Sequence, residues 1–370
     1  MKQTTGMTSA VYAALTDPSE FGACVRCQPV EPALPAPSAD LHAALLAAVG
    51  ACGDAVFCLS GGLDSSLLLA LALEAGLKPR AATLVFEQPD AETERARLVA
   101  RTLGVPLAEI TVRADELPAA LEPAIRAART VVYNGRAVAK FLFWRKLGVS
   151  SAVSGVGADE VFIGQPEKLI CEPGESPPFV QRRRAECAEG AKLLRDTAVF
   201  AEPACPGDCL RWAQRLLWRV ETLPGTIAVE CDTAAGAGVR VLLPYIEASV
   251  RAWADARPVN ELVRGKLGKL PLRKLAEGRL PAQVLQAPKQ PVLAQPQPGP
   301  AHAAWCTALG KVLTPERLAP LRMVEPAAVA DCLARYAETA DCTLDRVLLK
   351  LSSLVVLRES HGEAAWHASS

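Results

Sequence analysis

The sequence has no excess of charge of either sign: its 370 residues include 40 Lys and Arg and 40 Asp and Glu. Without a basic excess, the chain has no bulk electrostatic footprint for nucleic acid. It also has no apolar segment of the roughly 18 residues that a membrane-spanning helix needs. The N-terminus carries Asp17 and Glu20 in place of the apolar core of a signal peptide. We therefore expect a globular cytoplasmic protein that binds neither nucleic acid nor a membrane.

Histidine is scarce and cysteine is abundant. The four histidines are scattered without the spacing of metal ligands, so we assign them no function. Twelve cysteines are many for a cytoplasmic protein, in which disulfides are rarely kept. The pairs Cys24-x-x-Cys27 and Cys205-x-x-x-Cys209 have spacings that could join in one tetrahedral thiolate zinc site. The alternative is that they are free thiols that pack as small apolar side chains.

Two common nucleotide-binding motifs are absent. No Gly-Lys-Ser/Thr stands at the spacing of a P-loop, and no Gly-x-Gly-x-x-Gly of a Rossmann unit follows the first apolar run. The stretch Ser-Gly-Gly-Leu-Asp-Ser-Ser at residues 60–66 stands there instead, between the apolar run 55–59 and a Leu/Ala-rich segment. This pattern predicts a strand, a tight loop and a helix. Adjacent glycines, the N–H groups of a helix start and serine hydroxyls together suit phosphate oxygens.

Asp64 is the unexpected residue in this stretch. A carboxylate beside a phosphate site repels the ligand unless a cation lies between them, so it indicates Mg²⁺. A second stretch, Ser-Gly-Val-Gly-Ala-Asp-Glu-Val-Phe-Ile-Gly at residues 154–164, again places a carboxylate, Asp159, after glycines. An aspartate after a glycine turn is usually a helix cap. The two stretches together, however, predict one Mg²⁺ site that binds the β- and γ-phosphates of a nucleotide.

Strand and helix patterns alternate along the chain. We expect residues 1–40 to form a leader and proline-rich linker, and residues 41–370 to form one domain. Strands are predicted at 55–59, 82–86, 108–112 and 151–153, an extended segment at 286–302 and a helical tail at 327–359. This order predicts an α/β fold with a doubly wound parallel sheet and additional C-terminal helices. Because the first and fourth strands both end in Ser-Gly, their loops should face one crevice.

At these two stretches the sequence resembles the ATP pyrophosphatases, whose fold is of the adenine nucleotide α-hydrolase type. It resembles most specifically the synthetase domain of asparagine synthetase and of its relatives β-lactam synthetase and carbapenam synthetase. Three further motifs in the family's order extend the resemblance to roughly residues 40–360. They are Gly-Val-Arg-Val-Leu-Leu-Pro-Tyr-Ile-Glu at 238–247, Lys-Leu-Pro-Leu-Arg at 269–273 with Leu-Pro at 280–281, and Pro-Lys-Gln at 288–290.

The resemblance implies ATP and Mg²⁺ as cofactors and a role for each matching residue. Lys269, with Asp64 and Asp159, would be catalytic, since its ammonium would neutralise charge that develops on the α-phosphate and the departing pyrophosphate. The two aspartates would hold Mg²⁺. Arg240 and Arg273 would brace the site through ion pairs. Pyrophosphate would be bound by Ser60, Gly61, Gly62, Ser65 and Ser66, and adenosine by backbone groups of Leu59, Val85 and Gly155.

The sequence departs from this family at three places. Lys2 follows Met1, where a glutaminase domain would carry its nucleophilic cysteine, so we expect ammonia to come from outside this chain or an amine to replace it. Val156 stands where relatives carry Glu or a proton-transferring Tyr, and Gly238 replaces a family Glu. Valine transfers no proton. Glu160, Tyr133 and Tyr245 are the alternative candidates for a general base, unless the nucleophile needs none.

The function expected from these observations is an ATP-dependent, AMP-forming ligase. It would adenylate a small-molecule carboxylate and transfer it to an amine or ammonia, giving an amide or lactam in specialised metabolism. A separate ammonia-supplying or carrier partner and a homodimer are both compatible with the sequence. Two alternatives remain open: a pyrophosphate-loop enzyme that thiolates or aminates an adenylated carbonyl, and a nucleotide-binding homologue that has lost catalysis.

Overall fold

The sheet at the centre of the fold has five strands, all parallel, in the order β3-β2-β1-β4-β5. The computed structural model describes residues 34–37, 40–195, 209–286 and 298–361. The central strand β1 pairs with β2 through Phe57 and Ala81, and with β4 through Val56 and Ala152. The strands are β1 Val56–Cys58, β2 Ala81–Phe86, β3 Leu107–Val112, β4 Ser151–Val153 and β5 Arg240–Leu242. The strand order reverses between β1 and β4, which is where ligands bind in such sheets.

Helices cover both faces of this sheet. They are α1 Leu41–Gly50, α2 Leu63–Glu74, α3 Ala91–Leu103, α4 Leu117–Ala128, α5 Gly135–Leu147, α6 Ala158–Val161, α7 Pro178–Ala191, α8 Cys209–Leu217, α9 Ala228–Gly236, α10 Ala248–Asp255, α11 Val259–Leu262, α12 Leu270–Ala276, α13 Ala282–Leu285, α14 Pro300–Val312, α15 Pro315–Leu318, α16 Pro326–Thr339 and α17 Cys342–His361. A ten-residue π-helical segment, Trp218–Ile227, joins α8 to α9. No helix within the described residues is long and apolar enough to cross a membrane.

Two hydrophobic cores lie on the two faces. Successive residues of a strand alternate between them, so Val56 and Ala82 belong to one core and Phe57 and Ala81 to the other. The first core contains α4, α5, α9 and the C-terminal helices α14, α16 and α17, and the second contains α1, α2, α3, α10 and α12. The predicted doubly wound α/β fold with additional C-terminal helices is therefore confirmed.

Local sequence signals set several of the helix ends. Asp90 caps α3 by accepting a hydrogen bond from Thr93 N, while the Thr93 side chain accepts one from Asp90 N. Gly104 and Gly148 end α3 and α5 in the left-handed conformation that glycine adopts without strain. Each of these helices follows a parallel strand or the helix after it. The loops that follow the strands lie at the carboxyl edge of the sheet.

Three elements differ from the sequence-based expectations. The fifth strand, β5, has only three residues and was not predicted. The helical tail is divided into α16 and α17, because Ala340 takes a left-handed conformation between them. Of the segment 286–302 that was predicted to be extended, residues 287–297 lie outside the described ranges, and α14 begins at Pro300, so the prediction is wrong for residues 300–302.

Candidate active site

The loop between β1 and α2 is held by two serines, one in the loop and one in the first turn of α2. Ser60 N donates to Ser65 Oγ at 3.0 Å, and the two hydroxyls also lie 3.0 Å apart. Gly62 occupies the N-cap position of α2, where no side chain accepts a hydrogen bond from the helix. The first N–H groups of α2 are therefore without a side-chain cap, as a helix that receives an anion requires.

Gly61 fixes this loop against α3. Its φ is +73°, and a Cβ built on it would lie 2.4 Å from Glu92 O and 2.6 Å from Ala96 N. Contacts that short do not occur, so only glycine permits the loop to lie on the first turns of α3. The loop conformation is thus determined both by its own hydrogen bonds and by a neighbouring helix.

Three charged side chains from distant segments meet beside the loop. Asp64 lies in the first turn of α2, Asp159 in α6, and Lys269 directly before α12. Lys269 Nζ lies 2.6 Å from Asp64 Oδ2 and 2.5 Å from Asp159 Oδ1, and the Lys269 side chain is 8% exposed. Gln165 Nε2 donates to Asp159 Oδ2 at 2.8 Å. The cluster therefore contains two carboxylates and one buried ammonium.

A close crossing of two backbone segments brings Lys269 to the aspartates. Lys269 N donates to Phe162 O at 3.0 Å, and a Cβ on Gly268 would lie 1.8 Å from Ile163 O. Ile163 and Lys269 both have positive φ, +51° and +59°, although a β-branched residue rarely adopts that conformation. Backbone strain of this kind persists only where the surrounding structure enforces it, and it clusters at functional sites.

The residues around Asp64 fit a bound Mg²⁺. Asp64 Oδ1 is buried and has no hydrogen-bond partner, which is uncommon for a carboxylate oxygen. Mg²⁺ prefers oxygen ligands and is usually held by one or two carboxylates together with substrate phosphates. Asp64 and Asp159 supply those carboxylates. The loop between β1 and α2, residues 59–62, which we call the phosphate loop, lies next to them.

A second polar network lies on the other side of β4. Ser154 Oγ donates to Glu230 Oε1 at 2.9 Å, and Lys140 Nζ donates to Glu230 Oε2. Val156 N lies 3.4 Å from Ser154 Oγ. Ser154 and Glu230 are buried. This network joins β4, α5 and α9 directly beneath the Gly155-Val156 turn, and it was not identified from the sequence.

A family model described as asparagine synthase matches residues 41–358, which is most of the chain. The chain belongs to the asparagine synthase family. The resemblance stated from the motifs is thereby confirmed. Membership of this family identifies the protein as an ATP-dependent ligase of the amide-forming type. The chain has no match among curated proteins.

In this asparagine synthase family member, the residues expected to contact adenosine lie at strand ends. Leu59 directly follows β1, and its N–H donates to Ala82 O at 2.8 Å. Gly155 lies two residues after β4, where a Cβ would be 3.3 Å from Ser65 N. Val85 lies inside β2 and pairs with Thr111 of β3. The adenosine roles of all three residues stay predictions.

The three candidates for a general base differ in their surroundings. Tyr245 Oη donates to Asp64 O at 2.9 Å, and burial raises the pKa of this phenol well above its ordinary value. Burial likewise raises the pKa of Tyr133 to about 12. Burial raises the pKa of the Glu160 carboxyl above its ordinary value. The role of each of the three residues as a general base stays a prediction.

The predicted bracing arginines make no ion pair with an acidic side chain among the described residues. Arg273 instead donates to two backbone carbonyls, Gly268 O at 3.1 Å and Leu285 O at 2.8 Å, and so holds the turn before Lys269. Arg240 is an exposed residue of β5. Pro288-Lys289-Gln290 lies outside the described residues.

The proposed zinc site has no support. Cys24, Cys27 and Cys205 lie outside the described residues, and Cys209, the first residue of α8, is disulfide-bonded. A disulfide sulfur is not the thiolate ligand that zinc requires. Within the described ranges no three His, Cys, Asp or Glu side chains are grouped to hold a metal. The cysteine next to the phosphate loop, Cys58, is kept protonated because burial raises its pKa to about 12.

Proposed function

We propose that this protein adenylates a small-molecule carboxylate with ATP and transfers the acyl group to a nitrogen nucleophile, releasing AMP and pyrophosphate. The observation that carries the proposal is the contact of Lys269 with Asp64 and Asp159 beside a serine- and glycine-lined anion loop. This arrangement places one fixed cation, and two carboxylates that could hold Mg²⁺, beside the place where phosphate charge would develop.

The first step forms the acyl adenylate. A carboxylate oxygen attacks the α-phosphorus, and the bond from that phosphorus to the β-phosphate bridging oxygen breaks. The loop N–H groups and the hydroxyls of Ser60 and Ser65 bind the pyrophosphate, and Lys269 offsets its growing charge. Mg²⁺ on Asp64 and Asp159 would neutralise the β- and γ-phosphates. The step gives the carboxyl carbon a better leaving group, because AMP rather than hydroxide leaves when the nitrogen attacks.

The second step forms the amide or lactam. The nitrogen attacks the acyl carbon, the bond from that carbon to the AMP oxygen breaks, and one proton leaves the nitrogen. Val156 cannot accept this proton, so the acceptor is Glu160 or a phosphate oxygen of AMP itself. We place the reaction in specialised metabolism, because Val156 and Gly238 depart from the asparagine-forming pattern. The nitrogen donor is an amine, or ammonia that is free or supplied by a partner.

The test is carboxylate-dependent exchange of labelled pyrophosphate into ATP over a broad panel of carboxylates. Asp64→Ala and Lys269→Ala should abolish the exchange. Lys274→Ala is the matched control, because Lys274 is exposed on α12, five residues from Lys269, and it should exchange at the wild-type rate. ATP binding without exchange on any carboxylate would contradict the proposal and favour a homologue that has lost catalysis. ADP in place of AMP as the product would also contradict it.

A further inference from the structure

Arg95 is a cation beside the phosphate loop that the proposed reaction has not used. It lies on α3, and a Cβ built on Gly61 would be 2.8 Å from Arg95 Cβ. The backbone of Glu92 and Ala96 forms the rest of the same contact. The part of α3 on which the phosphate loop lies is therefore the part that carries Arg95.

Within the described part of the chain, the guanidinium of Arg95 makes no hydrogen bond. Its Nε is buried and unpaired, and its side chain is 16% exposed. The nearest acidic group, Glu92 Oε1, lies 3.9 Å from Nη2, which is beyond hydrogen-bonding distance. Buried donors in folded proteins are nearly always satisfied, and a bound phosphate oxygen is one group that could accept from this Nε.

Arg97 on the same helix shows the contrast. Its Nε and Nη2 donate to the two carboxylate oxygens of Glu109 at 2.7 and 2.6 Å, and Nη1 donates to Glu94. This two-pronged geometry is the one that guanidinium groups adopt with carboxylates and phosphates. Arg97 makes close hydrogen bonds to acidic side chains, whereas Arg95, whose Cβ lies against the phosphate loop, makes only a long contact of 3.9 Å with Glu92.

The charge balance of the site also calls for a further cation. Lys269 carries one positive charge against the two negative charges of Asp64 and Asp159. A magnesium ion would leave one net positive charge in the cluster, which is less than the negative charge of a pyrophosphate group. The loop itself adds only neutral N–H and O–H donors.

We propose that Arg95 binds phosphate oxygens of the pyrophosphate part of ATP. This contact rests on the proposed function, because it assigns the loop to pyrophosphate. Glu92 is the neighbour that weakens it: its carboxylate competes for the guanidinium and repels the phosphate. Arg95 is thus a substrate-binding residue.

Binding of magnesium pyrophosphate, measured by calorimetry at low and at moderate salt, tests the contact. Arg95→Gln should weaken binding about tenfold to a hundredfold, as expected for loss of a charge-assisted hydrogen bond. Arg95→Lys should weaken it less, because the charge remains. Glu92→Gln should strengthen it. Arg97→Gln, the matched control, should stay within twofold of wild type. Thermal unfolding of each variant verifies that it is folded.

The outcomes separate the two proposals. Equal binding by wild type and Arg95→Gln refutes the Arg95 contact and leaves the ligase proposal standing. Normal binding by wild type, a loss in Arg95→Gln and no carboxylate-dependent exchange refutes the ligase reaction and leaves the contact standing. Absence of any pyrophosphate binding by the wild-type protein refutes both.

Discussion

Gly164 offers a sharp test of the candidate active site, because its missing side chain makes room for two charged groups. A Cβ on Gly164 would lie 2.0 Å from Asp159 Oδ1 and 2.2 Å from Lys269 Cε. Real Cβ contacts are essentially never below 3.0 Å, so one of these groups must move by about 1 Å in Gly164→Ala. Gly164 is not among the glycines with positive φ, so the substitution adds no backbone strain. Its effect is steric, and because the added Cβ would also lie 2.8 Å from Asp159 Cα, the backbone at Asp159 must shift as well.

We expect Gly164→Ala to lower the rate of pyrophosphate exchange about a hundredfold, since a misplacement of 1 Å at a catalytic group costs roughly that factor. The free energy of unfolding should fall by only about 1–3 kcal/mol, as for other overpacked sites, so the variant stays folded. Exchange assays and chemical denaturation measure the two effects separately.

Gly310→Ala is the matched control. Gly310 lies within α14, has no positive φ, and would place its Cβ within 4 Å of nothing. Its exchange rate should equal that of wild type, and its unfolding free energy should rise by up to about 1 kcal/mol, because alanine favours a helix interior over glycine. An exchange rate within twofold of wild type in Gly164→Ala would refute the idea that the contact between Lys269 and Asp159 must be kept for adenylation.

Three further predictions concern single contacts. Gly61→Ala should destabilise the protein by several kcal/mol and abolish pyrophosphate binding, because it introduces both a left-handed alanine and a clash with α3; a folded variant that binds normally would contradict this. Burial alone would raise the pKa of Glu186, but the charges around it, Lys350 first, outweigh burial and lower that pKa to about 2. Glu186→Gln should therefore lower the free energy of unfolding by about 3 kcal/mol at neutral pH. Because a depressed folded-state pKa gives stability that is lost as pH falls, this difference from wild type should shrink between pH 4.5 and 2. A difference that stays constant over this range would contradict the assignment. Tyr245→Phe should lower the unfolding free energy by about 1 kcal/mol, because it removes the hydrogen bond from the buried phenol to the Asp64 carbonyl, and unchanged denaturation midpoints would contradict this.

The sequence predicted the elements whose signals are local. The apolar run, glycine pair and Leu/Ala-rich segment around Asp64 specified a strand, loop and helix, and the structure has β1, the loop and α2 there. Adjacency of the first and fourth strands followed from their matching Ser-Gly ends, and β1 indeed pairs with β4. Their loops then bring Asp64 and Asp159 to one ammonium, Lys269. The positions of the two aspartates were predictable because each depends on its own motif and on the parallel sheet, whereas Lys269 was expected only from the family resemblance.

The missed features depend on contacts between distant segments. Ser154 and Lys140 meet Glu230 across 76 and 90 residues, and no local pattern marks a buried glutamate in an Ala-rich helix. In the sequence Arg95 is indistinguishable from other polar residues of α3. Only the packing of Gly61 against that helix shows that Arg95 lies beside the loop. The strand β5 was missed because three residues carry too little periodicity.

The ion pair of Lys269 with Asp64 spans 205 residues of the chain, and the hydrogen bond from Tyr245 to Asp64 spans 181. The contact of Lys269 with Asp64 therefore cannot form in a growing chain until synthesis has passed residue 269. Contacts of such long range are slow to form, because the intervening chain loses conformational entropy before the contact stabilises the fold. ATP should consequently bind only the fully folded protein and stabilise it as a whole, so nucleotide binding during synthesis would report completion of the fold.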